Sequence, residues 1–496
     1  MSKNDWPLEA DTTAISPPVR RRRKILPIIL LLLATFALLG PVRNYYVQWS
    51  AIRKMQAAAL AKDYSEEFRQ LSLLAKMGNR DSQGYLGAMH WRGEGTEQND
   101  EQAVFWWRKS ADQGNAEAAA ALSQAYSLGR GVAKDDRLAA SLAREAADKG
   151  NANGEYQLGV LYSRGQGLTK SDEQALYWWR KAIDAGSVEA AYSLGQAYFK
   201  GLGIKKDDKI GAMWIRRAAD KGYAEAAYVL STAYKFGLGV DKNSQLAATW
   251  ARKAADQGNA DGQYMLGVLY HLGEGMVQDD SLAFQWWMKA ATSGVHQAQS
   301  SVAGAYAAGQ GVARDDIQAF AWMSKAANQG DAFAQSSLGG MYAQGKGVAR
   351  SDAEAASWWL KAANQGDASA QLNLGAAYAK GAGLTQSDAN AVQWWLKAAK
   401  QGDVTAQLWV AYSYANGKGI ARDDKAAETW WLEAAKAGNV DAEFSLGTLY
   451  YRGIGGKPDY PQAAKWFLKA AEHGNAQAKT YIELMKQNGQ LDSKTL

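Results

Sequence analysis

From Asn79 onward the chain alternates two stretches whose apolar residues recur at helical rather than strand spacing, and the alternation restarts every 36 residues. In residues 151–186 the first stretch runs from Asn151 to about Arg164 and carries Tyr156, Leu158, Val160, Leu161 and Tyr162. The second opens at Ser171 and continues through Ala175, Trp178 and Trp179 to Gly186. A Gly-x-Gly step such as Gly165/Gly167, or Gly453/Gly455 in the last copy, separates the two. Each unit therefore predicts a helix, a glycine-rich turn, a second helix and a short turn. The closing glycine marks the period without a slip, from Gly78 and Gly114 to Gly438 and Gly474, eleven equal intervals covering 396 of the 496 residues. A fixed period of this size predicts a stacked array.

Polar positions agree with that reading. The first stretch opens on Asn, Asp or Ser in ten of twelve copies, with Tyr223 and Val295 departing, and the Ser171 column is Asn, Asp or Ser in all eleven. These side chains accept hydrogen bonds from the free N–H groups that begin a helix. Gly186 falls where a left-handed carboxyl-terminal cap is expected. The first-tryptophan column holds ten Trp, from Trp106 to Trp466, with Leu142 as its exception, and predicts packing between units. The alanine column of Ala103, Ala139 and Ala175, in which Gly211 differs, suits close helix approach. No hairpin of 36 residues buries enough apolar surface to stand alone, so neighbours must share their faces.

Three runs carry a family resemblance: Ala175 to Ile183 (Ala-x-x-Trp-Trp-x-x-Ala-Ile), Leu158-Gly159-x-x-Tyr162, and the Gly-x-Gly turn. They resemble the Sel1-like repeat family, an α/α solenoid related to tetratricopeptide arrays. The resemblance implies an all-α, right-handed superhelix of eleven helix-turn-helix repeats over 79–474, with a terminal helix and polar tail over 475–496. Ser123, Ser231, Ala303 and Ala411 depart from the helix glycine of the pattern, and His90 from its tyrosine.

The amino-terminal end is different in kind. Residues 1–24 are polar and finish in Arg20 to Arg23 and Lys24, and an apolar run from Ile25 to Val42 follows. Its 18 residues, at about 1.5 Å each, approach the length of a membrane-spanning helix. The cations predict a cytoplasmic amino terminus in a bacterial inner membrane, with the repeats in the periplasm. Gly40-Pro41 is a poor cleavage context, so the run reads as an uncleaved single-helix anchor rather than a removed signal. Residues 43–78 read as a stalk and capping helix, with Ile52 to Met77 predicted helical and Gln70 where a repeat would place tryptophan.

Charge then changes little. Of the net +6, residues 1–24 supply +3, leaving +3 over the remaining 472 residues, with no concentrated basic stripe for nucleic acid. There is no cysteine. The four histidines, His90, His271, His296 and His473, fall in different repeats, so no metal site of familiar spacing is formed. Carboxylate pairs such as Asp135–Asp136 and Asp315–Asp316 recur where a helix cap is required, and read as caps. No catalytic residue, cofactor or metal ligand is predicted, and the chain reads as a non-enzyme.

Binding residues are sought where copies differ. By analogy with tetratricopeptide arrays the first helix lines a groove. Its columns give Tyr156, Tyr192, Tyr228 and Tyr264 early, small residues including Ser301, Ala343 and Ala379 in the middle, and Trp409, Tyr412 and Phe444 late. They predict aromatic shoulders around a shallow floor suited to a segment of another protein; the same residues also fit packing between units and tighter curvature. The resemblance implies scaffolding of macromolecular assemblies, or inhibition of a secreted toxin such as a lipase. Cell-wall glycan binding by the aromatic shoulders is a further alternative.

Overall fold

Small residues opposite large ones hold each hairpin together. In the computed structural model, which describes residues 42–454 and 456–491, a glycine of the first helix faces a large side chain of the second. The pairs are Gly87–Trp107, Gly159–Trp179, Gly195–Ile215, Gly267–Trp287, Gly339–Trp359, Gly375–Trp395 and Gly447–Phe467. A Cβ at Gly159 or Gly375 would lie 2.5 or 2.4 Å from the facing indole, so no larger residue fits without movement. The departures follow the same rule. Where the opposing position shrinks to Ala143 or Ala251, the glycine becomes Ser123 or Ser231, whose hydroxyl donates to the carbonyl of Ala139 or Ala247 at 2.8 Å. Met323 is matched by Ala303 in one buried cluster. Ala411, opposite Trp431, breaks the rule, and nothing in the structure explains it.

Among the described residues there are 25 helices and no strand. Nearly all repeat helices have 13 residues, as in Ala152–Arg164 and Asp172–Asp184, and caps set their ends. Asn151 accepts from Gly154 N–H at 2.8 Å, and Ser171 from Gln174 N–H at 3.2 Å. Tyr223 and Val295 make no such bond. Gly165 closes the first helix in the left-handed region, φ 68°. Two residues on, Gly167 answers a different demand: a Cβ there would lie 1.9 Å from the Asp136 carbonyl oxygen, in the preceding repeat. Gly311 meets Asp280, and Gly383 meets Asp352, in the same way.

The helices group into two compact units, one ending at Ala218 and one beginning at Ala219. Within each, repeats are joined by the first tryptophan of the pair. Trp178 packs with Ala139, Ala143 and Ala147 of the preceding repeat, and Trp394 with Ala362 and Ala363. Lysines three residues on cover these rings, at 3.6 Å from the centroid for Lys361 over Trp358 and Lys397 over Trp394. A glutamine near the start of the first helix adds a polar tie, donating to a carbonyl eight residues back: Gln83 to Ala75 at 3.0 Å, Gln335 to Ala327 at 3.1 Å and Gln371 to Ala363 at 3.2 Å.

At the amino-terminal end the predicted Ile52–Met77 helix is two helices, Val42–Ala61 and Tyr64–Lys76. Lys62 turns left-handed at φ 55°, and Asp63 caps the second helix through Glu66 N–H at 3.0 Å. Ala51, Ile52 and Leu74 are buried together, so this segment is itself a hairpin. The apolar run 25–42 lies outside the described residues except for Val42, and so does Gly455. No described helix is long and apolar enough to cross a membrane. In the last repeat Gly453 leaves the left-handed helical region (φ 89°, ψ 129°), because Ile454 and Lys457 form an isolated bridge across the turn.

Two predictions follow from this packing. Gly159→Ser alone should destabilise by about 1–3 kcal/mol through overpacking, and Trp179→Ala alone by about 3–5 kcal/mol. Together they recreate the Ser/Ala pair of two other repeats, so the double variant should be more stable than the sum of its parts by at least about 1 kcal/mol. Hydrogen exchange over residues 152–184 reads this locally, and strict additivity would refute the small–large rule.

Glu155 occupies the glutamine position, is 5% exposed, and has one carboxyl oxygen buried without a partner. Burial raises its pKa above the ordinary glutamate value, Lys181 opposes the shift, and Asp184 adds to it. The folded state thus holds the proton more tightly than the unfolded chain. Stability should fall as pH climbs from the ordinary glutamate range through the raised value. Glu155→Gln should remove that slope and add about 1 kcal/mol at neutral pH, through the bond its sister glutamines make. Denaturation at several pH values checks both, and a slope surviving in the variant would contradict the assignment.

A candidate partner-binding face

Solvent-facing side chains of the first helices form the candidate site, because the fold consumes the others. Gly154, Glu155, Leu158, Gly159 and Leu161 are buried in the third repeat, while Tyr156, Gln157 and Val160 remain half-buried. Most repeats keep these registers, although Ala120, Met265, Ser336 and Ser445 are buried at positions left half-buried here.

The residues singled out from the sequence do not form one surface. In the amino-terminal unit Tyr156 lines a cleft of about 390 Å³ with Trp91, Trp107, Glu117, Gln157 and Glu189. Burial raises the pKa of its hydroxyl, and Ser193 hydrogen bonds to it. Tyr192 is half-buried and receives a bond from Gln196 Nε2 at 3.2 Å. In the carboxyl-terminal unit Tyr228 and Tyr264 are half-buried against the packed clusters around Leu266 and Trp287. Phe444 lies 5.6 Å from both Phe467 and Tyr481, within the packing of the final helix Ala476–Gln487.

Ser301 and Ala343 are half-buried on a small-residue face in the carboxyl-terminal unit. Here Gly304 and Gly340 stand apart from every other described helical glycine. A Cβ at Gly304 would meet nothing within 4 Å, and one at Gly340 would meet only the Gln344 amide, at 4.0 Å. Neither has a positive φ. Glycine inside a helix costs about 0.5–1 kcal/mol relative to alanine, and here neither packing nor backbone geometry requires it.

Ala379, Trp409 and Tyr412 come together. They line a cleft of about 800 Å³ between the first helices Ala368–Lys380 and Val404–Asn416. Trp395, the second tryptophan of its repeat, also lines the cleft and stacks on Trp409 (5.5 Å, 21°). Asn373, Thr405 and Asn416 complete the rim and were not foreseen, although Asn373 shares the column of Ser301 and Trp409.

Charged residues are absorbed structurally. Asp135 accepts from two backbone N–H groups as a cap, and Asp316 and Asp352 pair with Arg314 and Arg350. His271, His296 and His473 bind Asp280, Asp331 and Glu443 at 2.7, 2.9 and 2.8 Å, and His90 meets the Phe68 ring edge-on. No group of three potential metal ligands comes together among the described residues.

The Sel1 repeat model matches eleven consecutive segments, from 80–115 to 440–475. The chain belongs to the Sel1 repeat family. Its fold is the all-helical repeat solenoid of that family, a fold that binds other proteins. It is similar to the crystal structure of c5321, a protective antigen present in uropathogenic Escherichia coli strains and displaying an SLR fold. That protein is 33% identical with a TM-score of 0.65, over 86% of this chain and 91% of that one. A Sel1 repeat protein from Oxalobacter formigenes is 32% identical with a TM-score of 0.49, over 62% of this chain and 89% of its own. No curated protein matches the chain.

Proposed function

We propose that this Sel1 repeat protein is a non-enzymatic scaffold that binds another protein along the first helices of the repeats spanning 295–402. The observation that carries this reading is the pair Gly304 and Gly340, which keep a helix surface open where the fold has no use for the space. A partner backbone or small side chain approaching closely gives that space a role. Charge supports the same face. Between their caps the first helices His296–Ala308, Ala332–Gln344 and Ala368–Lys380 carry no carboxylate, whereas the amino-terminal repeats place Asp81, Glu117 and Glu189 on theirs. Depletion of charge marks the core of a protein interface.

Residues 25–42 anchor the scaffold in the bacterial inner membrane, with residues 1–24 in the cytoplasm and the repeats in the periplasm. The cation cluster Arg20–Lys24 before an 18-residue apolar run supports this orientation.

A photo-reactive residue at Ser301 or Ala343 should form a discrete protein adduct in cells, absent when placed at exposed Gln318 on the second helix. Gly340→Arg should weaken capture of that protein by at least about thirtyfold, near the 2 kcal/mol of an interface hot spot, with helical circular dichroism unchanged. Capture that survives the arginine would refute the assigned face. Separately, protease added to spheroplasts should digest the repeats while the chain stays in salt-washed membranes. Repeats protected from digestion would refute the orientation.

A further inference from the structure

Ten sister repeats act as controls for the cleft between Ala368–Lys380 and Val404–Asn416. The Trp409 column otherwise holds Tyr85, Ala121, Gln157, Ser193, Val229, Met265, Ser301, Ser337, Asn373 and Ser445, and no other copy has tryptophan there. The Tyr412 column holds no other aromatic, only residues such as Ala88, Gln124, Gly340, Ala376 and Thr448. The hairpin thus needs no aromatic at either place. Only this repeat has aromatics at both, and both remain exposed, Trp409 by 49% and Tyr412 by 38%.

The two rings are held in place before any ligand arrives. Trp409 stacks on Trp395, which is itself buried and donates its Nε1–H to the Leu372 carbonyl at 3.2 Å. The exposed part of Trp409 is therefore the side away from Trp395. Tyr412 meets Trp431 edge-on at 5.4 Å, and its hydroxyl is 3.0 Å from Ser445 Oγ. Its ring stands at 55° to that of Trp409, 6.3 Å away, forming a fixed aromatic corner. Rings fixed beforehand lower the ordering cost of binding.

The rim selects the ligand class. Asn416 spends its Nδ2 on the Tyr412 carbonyl at 2.8 Å, leaving Oδ1 to accept. The side chains of Asn373 and Thr405 make no hydrogen bond among the described residues. Asp388, the one carboxylate of the lining, pairs with Lys418 at 3.3 Å, and Lys380 is the second cation of the lining. A ligand with flat C–H faces, a hydroxyl perimeter and no cationic group fits these features. Its C–H bonds lie against the negative face of an indole, and its hydroxyls meet the amides. A purely apolar side chain would leave those amides unpaired. The volume, about 800 Å³, lies within the usual range for small-ligand sites.

We propose that this cleft binds the pyranose ring of a glycan, stacked on Trp409 and cornered by Tyr412. The site shares the helix Ala368–Lys380 with the proposed protein-binding face, but neither Gly304 nor Gly340 lines it. Two ring chemistries reach it equally well, plain and N-acetylated. Ligand-observed saturation-transfer NMR and calorimetry with the full chain, using cellotetraose, maltotetraose and chitotetraose, separate them. At least one oligosaccharide should bind with its ring C–H protons saturated.

Trp409→Ser and Tyr412→Ala copy sister repeats and so preserve the hairpin. Trp409→Ser should weaken binding about tenfold or more, equivalent to roughly 1.4 kcal/mol, and Trp409→Phe less. No binding of any of the three oligosaccharides overturns the proposal, as does binding unaffected by both variants. A protein adduct formed from a photo-reactive residue at Thr405, lost in Trp409→Ser while no oligosaccharide binds, would instead make the cleft part of the protein face. Loss of the Ser301 adduct in Gly340→Arg alone tests the protein reading independently.

Discussion

The contact on which the hairpins depend is that between a small first-helix residue, in most repeats glycine, and the side chain that faces it from the second helix. With Trp179 Cδ1 only 2.5 Å from where a Gly159 Cβ would sit, the helices approach as closely as their backbones permit. That approach fixes which side of each helix is interior. Leu158 and Leu161 are then buried beside Gly159, and Tyr156, Gln157 and Val160 are left toward solvent. The candidate binding surface is thus the remainder after packing has claimed its positions.

A second constraint keeps the repeats in register. In most of the described turns the second glycine lies against a carbonyl oxygen of the preceding repeat, as Gly167 does on Asp136 and Gly311 on Asp280. An inserted residue in the turn would remove the glycine from that contact or push a side chain into it, which accounts for eleven intervals of one length. The same economy removes chemistry from the charged residues. Aspartates that look paired in sequence divide into a cap, such as Asp315, and a partner for a nearby cation, such as Asp316 with Arg314. Neither is free to share a proton or a metal with the other.

Most of the fold was legible because it is written eleven times. Helix spacing, caps, turns and the family resemblance each recur, so a single departure such as Val295 changed nothing. What was not legible occurred once or depended on a partner distant in sequence. The break at Lys62 has no glycine or proline to mark it, and Asp63 looks like any surface carboxylate until its cap bond is seen. Trp395 looks like every other second tryptophan. Its role in the cleft comes from Trp409, fourteen residues later and in the next repeat, which lies over it. Gly339 sits in the Leu-Gly-x-x-Tyr column and Gly304 in a variable one, so the repeat already separates them; what the structure adds is that one faces an indole and the other open space.

A repeat array permits a distinction that a single globular domain does not. Each departure from the pattern either has a compensating change inside the fold or lacks one. Phe444 departs toward bulk, and Phe467 and Tyr481 pack against it, so the change belongs to the closing of the array by its last helix. Ser123 departs toward polarity, and the Ala139 carbonyl takes its proton donor. Gly304 and Gly340 depart toward nothing, with no neighbour enlarged to fill the space. Trp409 and Tyr412 depart toward aromatic bulk and stay exposed despite their partners. The interior accounts fully for the first two departures. It leaves a surplus in the last two, an open floor in one case and unburied rings in the other, and a surplus the fold does not use is where an external ligand has room to act.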